Sequence, residues 1–68
     1  MPTPGKIDIN TASAALLDTL PGIGPVTSGR IIQHRQQNGP FRTIEELLEL
    51  KIVNRSTFDK IKDLIAVY

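Results

Sequence analysis

The stretch Leu20-Pro21-Gly22-Ile23-Gly24-Pro25 decides the fold. Pro at the second and Gly at the third place of Leu20-Pro21-Gly22-Ile23 are the preferences of a type II turn, whose third residue needs a positive φ. Gly24 then stands at a helix N-cap. Pro25 suits the first helical position, where its missing N–H has no partner to lose. Before the turn, Thr11 or Ser13 caps a helix running to about Thr19, with Leu16, Leu17 and Leu20 turned inward. After it, a second helix from Pro25 to about Gln37 places Ser28, Ile31, Ile32 and Arg35 on one stripe and turns Arg30, Gln33, His34 and Gln37 outward.

Asn38-Gly39-Pro40 terminates the second helix, and Phe41 follows as a core plug. Thr43-Ile44-Glu45-Glu46 reads as a capping box, so a third helix starts at Ile44 and carries Leu47 and Leu48 to about Leu50. A fourth begins near Asn54 or Arg55, with Phe58, Ile61, Leu64 and Ile65 at helical spacing. Shifting the sequence by thirty residues lays Leu17 on Leu47, Leu20 on Leu50, Ile23 on Val53, Thr27 on Thr57, Arg30 on Lys60 and Ile31 on Ile61. Each half is a helix, a turn and a helix that cannot bury its apolar stripe alone. The two are therefore expected to pack about a pseudo-twofold axis in a compact all-α domain.

With 68 residues, a single Tyr, two Phe and no Trp, the chain supports one compact domain at most. It has no Cys, so Leu, Ile and Val must supply the stability that a disulfide or thiolate zinc site gives other small domains. Residues 1–6, with two prolines and a glycine, read as a flexible leader, and 7–68 as the domain. No apolar run approaches the roughly 18 residues that cross a bilayer, and a signal-peptide order is missing, so the chain is expected to be soluble without membrane contact.

The net charge is only +1, but it is unevenly distributed. Between Asp18 and Glu45 there is no acidic residue, and Arg30, Arg35 and Arg42 give that stretch +3 with His34 neutral; the two flanks sum to −1 each. A basic middle on a near-neutral chain suits one local anionic contact.

The chemistry lies in the turn. Amides of Gly22, Ile23 and Gly24, with those of Val26 and Thr27 in the first helical turn, form a cluster of free donors. The helix dipole adds about half a positive charge there, and the two glycines let a phosphate oxygen approach closely. Thr27 adds a hydroxyl and Arg30 a charged hydrogen bond, while the Ile23 side chain is expected to plug the core.

Leu-Pro-Gly-Ile-Gly-Pro between amphipathic helices, with small Ser28 four residues past Gly24, resembles the hairpin of DNA-binding helix-hairpin-helix motifs. With Ile9-Asn10-Thr11-Ala12 upstream, Arg35, Gly39-Pro40-Phe41 and a degenerate second half, the chain resembles the C-terminal domain of the ComEA competence family over Lys6 to about Ile65. The resemblance implies a tandem helix-hairpin-helix, SAM-like domain of four to five helices, the first motif at about 11–38 and the second at about 43–66. It implies a monomer that binds double-stranded DNA without sequence preference during DNA uptake in natural transformation, with no cofactor. In that family an N-terminal segment tethers the domain to a membrane, which implies an extracytoplasmic location. Binding is expected through Gly22 to Thr27, assisted by Lys51, Asn54, Arg55, Ser56 and Thr57 of the second hairpin.

Two positions depart from the family pattern. Thr27 stands where Lys is frequent, and the second hairpin reads Ile52-Val53-Asn54 in place of Gly-Ile-Gly, with Asn54 the residue best suited to left-handed backbone. With one to three phosphates neutralised, the log–log salt slope is roughly −1 to −3 and the affinity about 10⁻⁴ to 10⁻⁶ M or weaker. Gln33, Gln36, Gln37 and Asn38 read as a solvated helix end, so no base reading is expected.

An enzyme is disfavoured. DNA glycosylases with this hairpin use a Lys just after the second glycine and an Asp downstream, whereas Val26 fills that Lys position here and the following stretch is acid-free. His34 is the only histidine and has no evident partner for metal or catalysis, and Glu45, Glu46 and Glu49 read as complements to a helix dipole. The alternative is a protein-interaction or structural adaptor domain, because the cyanobacterial photosystem subunit PsbU resembles the same fold without using DNA.

Overall fold

The computed structural model describes residues 5–68. The leader expected over residues 1–6 falls, for 1–4, outside the described residues. The elements run β1 (Ile7–Asp8), α1 (Ala14–Leu17), α2 (Pro25–Asn38), α3 (Glu46–Glu49), α4 (Arg55–Ile61) and β2 (Ile65–Ala66). The fold is the mostly helical one expected, with one addition. Ile7 pairs with Ile65 and Asp8 with Ala66 in a two-stranded parallel ladder that ties the two ends of the domain together.

Local chemistry explains most boundaries. Ser13 caps α1, its hydroxyl accepting from the Leu16 amide at 3.1 Å. Gly24 and Pro25 open α2 as the turn chemistry requires, and Gly39 closes it. The capping box at Thr43 is not formed. The Glu46 carboxylate accepts from the Arg42 amide at 3.3 Å, and residues 43–48 wind through i→i+3 bonds, so α3 begins at Glu46. The fourth helix stops at Ile61, earlier than the apolar spacing suggests, because Ile65 is drawn into the ladder with Ile7.

The core joins both halves. Leu17 and Leu47, Ile23 and Val53, and Ile31 and Ile61 are all buried, so three of the thirty-residue pairs meet in one cluster with Ile9, Phe41, Phe58 and Ile65. Leu20 and Leu50 break the correspondence, at 4% and 45% exposed. Leu16 and Leu64, expected inside, lie 45% and 40% exposed, because α1 and α4 are too short to bury a full stripe.

Polar links fix the frame. The buried Ser28 hydroxyl donates to the Asp18 carboxylate, joining the start of α2 to the end of α1. Arg35 donates to the Ile9 carbonyl at 3.0 Å. The Asn10 side chain holds the Phe41 backbone at both its amide (2.7 Å) and its carbonyl (3.0 Å). These bonds bind the segment before the first hairpin to the far end of α2.

Candidate nucleic-acid interface

The first hairpin is a closed type II turn. The Ile23 amide donates to the Leu20 carbonyl at 3.1 Å, and Gly22 takes φ +78°. This corrects one sequence expectation: the Ile23 amide is consumed by the turn itself and cannot serve a ligand. Its side chain is buried, as the core reading required.

The other donors remain. The amides of Gly22, Gly24, Val26 and Thr27 have no hydrogen-bond partner among the described residues. Gly24 is extended at φ −115° and ψ −173°, and with no side chain it leaves α2 without a side-chain cap. Nothing lies within 4 Å of where a Gly24 Cβ would sit, so the approach to these amides is open. Val26 is 77% exposed. Arg30 is exposed, one turn further along α2, and its guanidinium makes no ion pair among the described residues. An anion at the α2 N-terminus therefore meets free N–H groups and the positive end of a fourteen-residue helix, with an unpaired positive charge one turn on.

The second hairpin lies against the first. A Cβ built on Gly22 would sit 3.2 Å from Thr57 Cγ2 and 3.3 Å from Thr57 Oγ1, so the first turn and the start of α4 are in direct contact. Lys51, Asn54, Arg55 and Ser56 are exposed and Thr57 is half-buried in this contact. Two donors that the first hairpin keeps, at the places of Gly22 and Thr27, are spent there, while the Asn54, Arg55 and Ser56 amides have no hydrogen-bond partner among the described residues. The Asn54 side chain accepts from the Thr57 amide at 2.8 Å, and the Ile52 and Val53 amides both donate to the Leu47 carbonyl. Arg55 reaches Asp59 at 3.9 Å on the surface. The left-handed residue of this turn is Lys51, at φ 58°, and Asn54 is extended, contrary to the sequence expectation. The reason is the end of α3. Lys51 donates to Leu48 and Ile52 to Leu47, a Schellman closure that needs positive φ at Lys51.

A family model for the helix-hairpin-helix motif matches residues 4–66. The chain belongs to the helix-hairpin-helix family. It is 38% identical over 61 residues to ComE operon protein 1 of Bacillus subtilis, covering 90% of this chain and 30% of that protein. It is also 38% identical over 61 residues to an uncharacterized protein of Haemophilus influenzae, covering 88% of this chain and 54% of that one. Endonuclease/exonuclease/phosphatase family domain-containing protein 1 of Homo sapiens is 31% identical over 62 residues, 91% of this chain but 11% of the human protein. This helix-hairpin-helix chain thus spans between about a tenth and about half the length of these relatives. The ComEA-like character read from the sequence holds, and these likenesses support a DNA-binding role. Among the described residues, no helix is long and apolar enough to cross a membrane.

Proposed function

We propose that this domain binds double-stranded DNA through its phosphate backbone, without sequence preference, as a monomer and without catalysis. One observation carries the reading: the amides of Gly22, Gly24, Val26 and Thr27 are unclaimed at the uncapped start of α2. Backbone donors recognise a phosphate that every nucleotide carries, so they supply affinity without base discrimination. Thr27 supplies a hydroxyl and Arg30 a charge. The neighbouring Lys51, Asn54, Arg55, Ser56 and Thr57 give secondary contacts on the adjoining backbone.

The ComE likeness supports a place in DNA uptake, with the domain held outside the cytoplasm as part of a longer protein. Catalysis has little to draw on, since Val26 stands in the glycosylase lysine position. The matched region is 11% of the human relative named for an endonuclease/exonuclease/phosphatase domain, which keeps that name from extending to this chain.

The test is a titration of the labelled protein with a short duplex, read by amide shifts. Movement centred on Gly22, Gly24, Val26 and Thr27, fading between 50 and 200 mM salt, is the expected result. The exposed Val26 favours one rival, an apolar protein partner seated on the same hairpin. Binding to a protein partner that persists across that salt range, with no shift on adding DNA, would replace the DNA reading.

A further inference from the structure

We propose that the groove between α2 and the α3–α4 turn receives an unpaired stretch of nucleic-acid strand leaving the hairpin site. The inference rests on the phosphate-binding reading above and extends it from a point contact to a track.

The groove has a volume of about 320 Å³, and Arg30, Gln33, Gln37 and Asn38 of α2 face Leu50 and Ile52 across it. Three features select its occupant. First, it is continuous with the phosphate site, because Arg30 belongs to both. Second, its lining holds no carboxylate, so it presents positive charge only. The acidic side chains Glu46 and Glu49 appear beyond Leu50, in the adjoining depression, and set a negative boundary where the track ends. Third, its lining suits bases. The Gln33 and Gln37 carboxamides have no hydrogen-bond partner among the described residues and offer both donors and acceptors to a base edge. Leu50 presents an apolar surface at 45% exposure, where its counterpart Leu20 is buried at 4%.

In a duplex the base faces are stacked and the Watson–Crick edges are paired, so the apolar Leu50 surface has no face to meet and the carboxamides reach no Watson–Crick edge unless the strand is unpaired. Residues 30 to 37 rise about 10 Å along the helix, room for only a short stretch of strand. His34 lies along this lining with its ring stacked on Phe41, centroids 4.6 Å apart, which holds the α2 side of the groove firm. The carboxamides read here as a solvated helix end from sequence alone; the structure sets Leu50 opposite them.

The experiment compares a short blunt duplex with the same duplex carrying a single-stranded tail at its 3′ or 5′ end, by fluorescence anisotropy. For the parent, one tailed form is expected to bind about fivefold tighter than the blunt form. Gln33→Ala/Gln37→Ala, two surface changes outside the hairpin, is expected to erase that gain and leave blunt-duplex affinity unchanged. Equal affinity of the parent for blunt and both tailed duplexes overturns the groove, as does a tail gain that survives the double substitution. Either result leaves the hairpin reading in place. That reading fails separately if Gly24→Asp binds the blunt duplex as tightly as the parent.

Discussion

The two hairpins are built on one thirty-residue plan and differ in who uses the amides at the start of the second helix. Gly24 and Asn54 occupy the same N-cap place, both extended, and the Ser28 and Phe58 amides make equivalent 2.9 Å bonds to their carbonyls. At Asn54 the side chain takes the Thr57 amide; at Gly24 the matching Thr27 amide is left open. Likewise the Ile52 amide is absorbed by Leu47, whereas the Gly22 amide is free. The Asn54, Arg55 and Ser56 amides are without a partner as well, so the halves differ by two donors, those of Gly22 and Thr27, which the first hairpin leaves to a ligand and the second spends on itself. Because Gly is only a few tenths of a kcal/mol worse than Asn at an N-cap, the open hairpin costs the fold little.

The sharpest way to break this comparison is to close the first hairpin. Gly24→Asp adds a side chain into open space, where its carboxylate can take the Thr27 amide as Asn54 takes Thr57. A negative charge at the helix N-terminus stabilises α2, so thermal stability should hold or rise by about 0.5–1 kcal/mol. DNA affinity should fall roughly 100-fold, because the donors are occupied and the added charge repels phosphate. A variant that melts higher and binds like the parent would detach those amides from the function.

Gly22→Ala should come next. It places a Cβ at φ +78° and 3.2 Å from Thr57 Cγ2, so both the turn and its contact with α4 are strained. The expected cost is about 1–2 kcal/mol of stability, with DNA affinity down about tenfold as the free amides shift. Adding Thr57→Ser removes the methyl and should recover part of both. Recovery of stability without recovery of binding would mean that Thr57 itself touches the ligand.

Arg30→Ala tests the part of the site that is charge alone. Affinity should drop about fivefold for every sequence, and the log–log salt slope should flatten by about 1. An unchanged slope would move Arg30 away from any phosphate.

The turn, the start of α2, the start of α4 and most of the core were legible because each rests on a local rule: Pro-Gly for the turn, Gly-Pro and Asn for the caps, a 3.6-residue spacing for the buried face. What escaped depends on distant partners. Two-residue strands such as Ile7–Asp8 carry no period, so the ladder appears only once Ile65 is brought alongside. The capping box failed because the chain enters α3 from the fixed Phe41 backbone and Glu46 meets the Arg42 amide instead. At the candidate site, the Gly22, Gly24, Val26 and Thr27 amides that the sequence marks are without a partner among the described residues, and Arg30 is exposed one turn on. The Ile23 amide is not among them, because a type II turn spends that donor on the Leu20 carbonyl.

The smallest expected effect tests the closed hairpin. Asn54→Gly removes the side chain that accepts from the Thr57 amide and makes the α4 cap resemble Gly24. The cost should be a few tenths of a kcal/mol, seen as a slight fall in melting temperature. The freed amide lies beside the first turn, because Thr57 is the residue Gly22 faces. An anion bound at the first hairpin therefore has a further donor near it, and a second phosphate a partly opened seat. The gain is held to about twofold at low salt, since Ile52 and Val53 still give their amides to Leu47 and no charge is added. Asn54→Asp restores the cap but places a negative charge at the same point, so it should weaken binding where Asn54→Gly strengthens it. Opposite signs for these two substitutions would put the start of α4 within reach of the DNA backbone. If both leave the affinity where it was, the second hairpin serves the fold alone and the first carries the contact by itself.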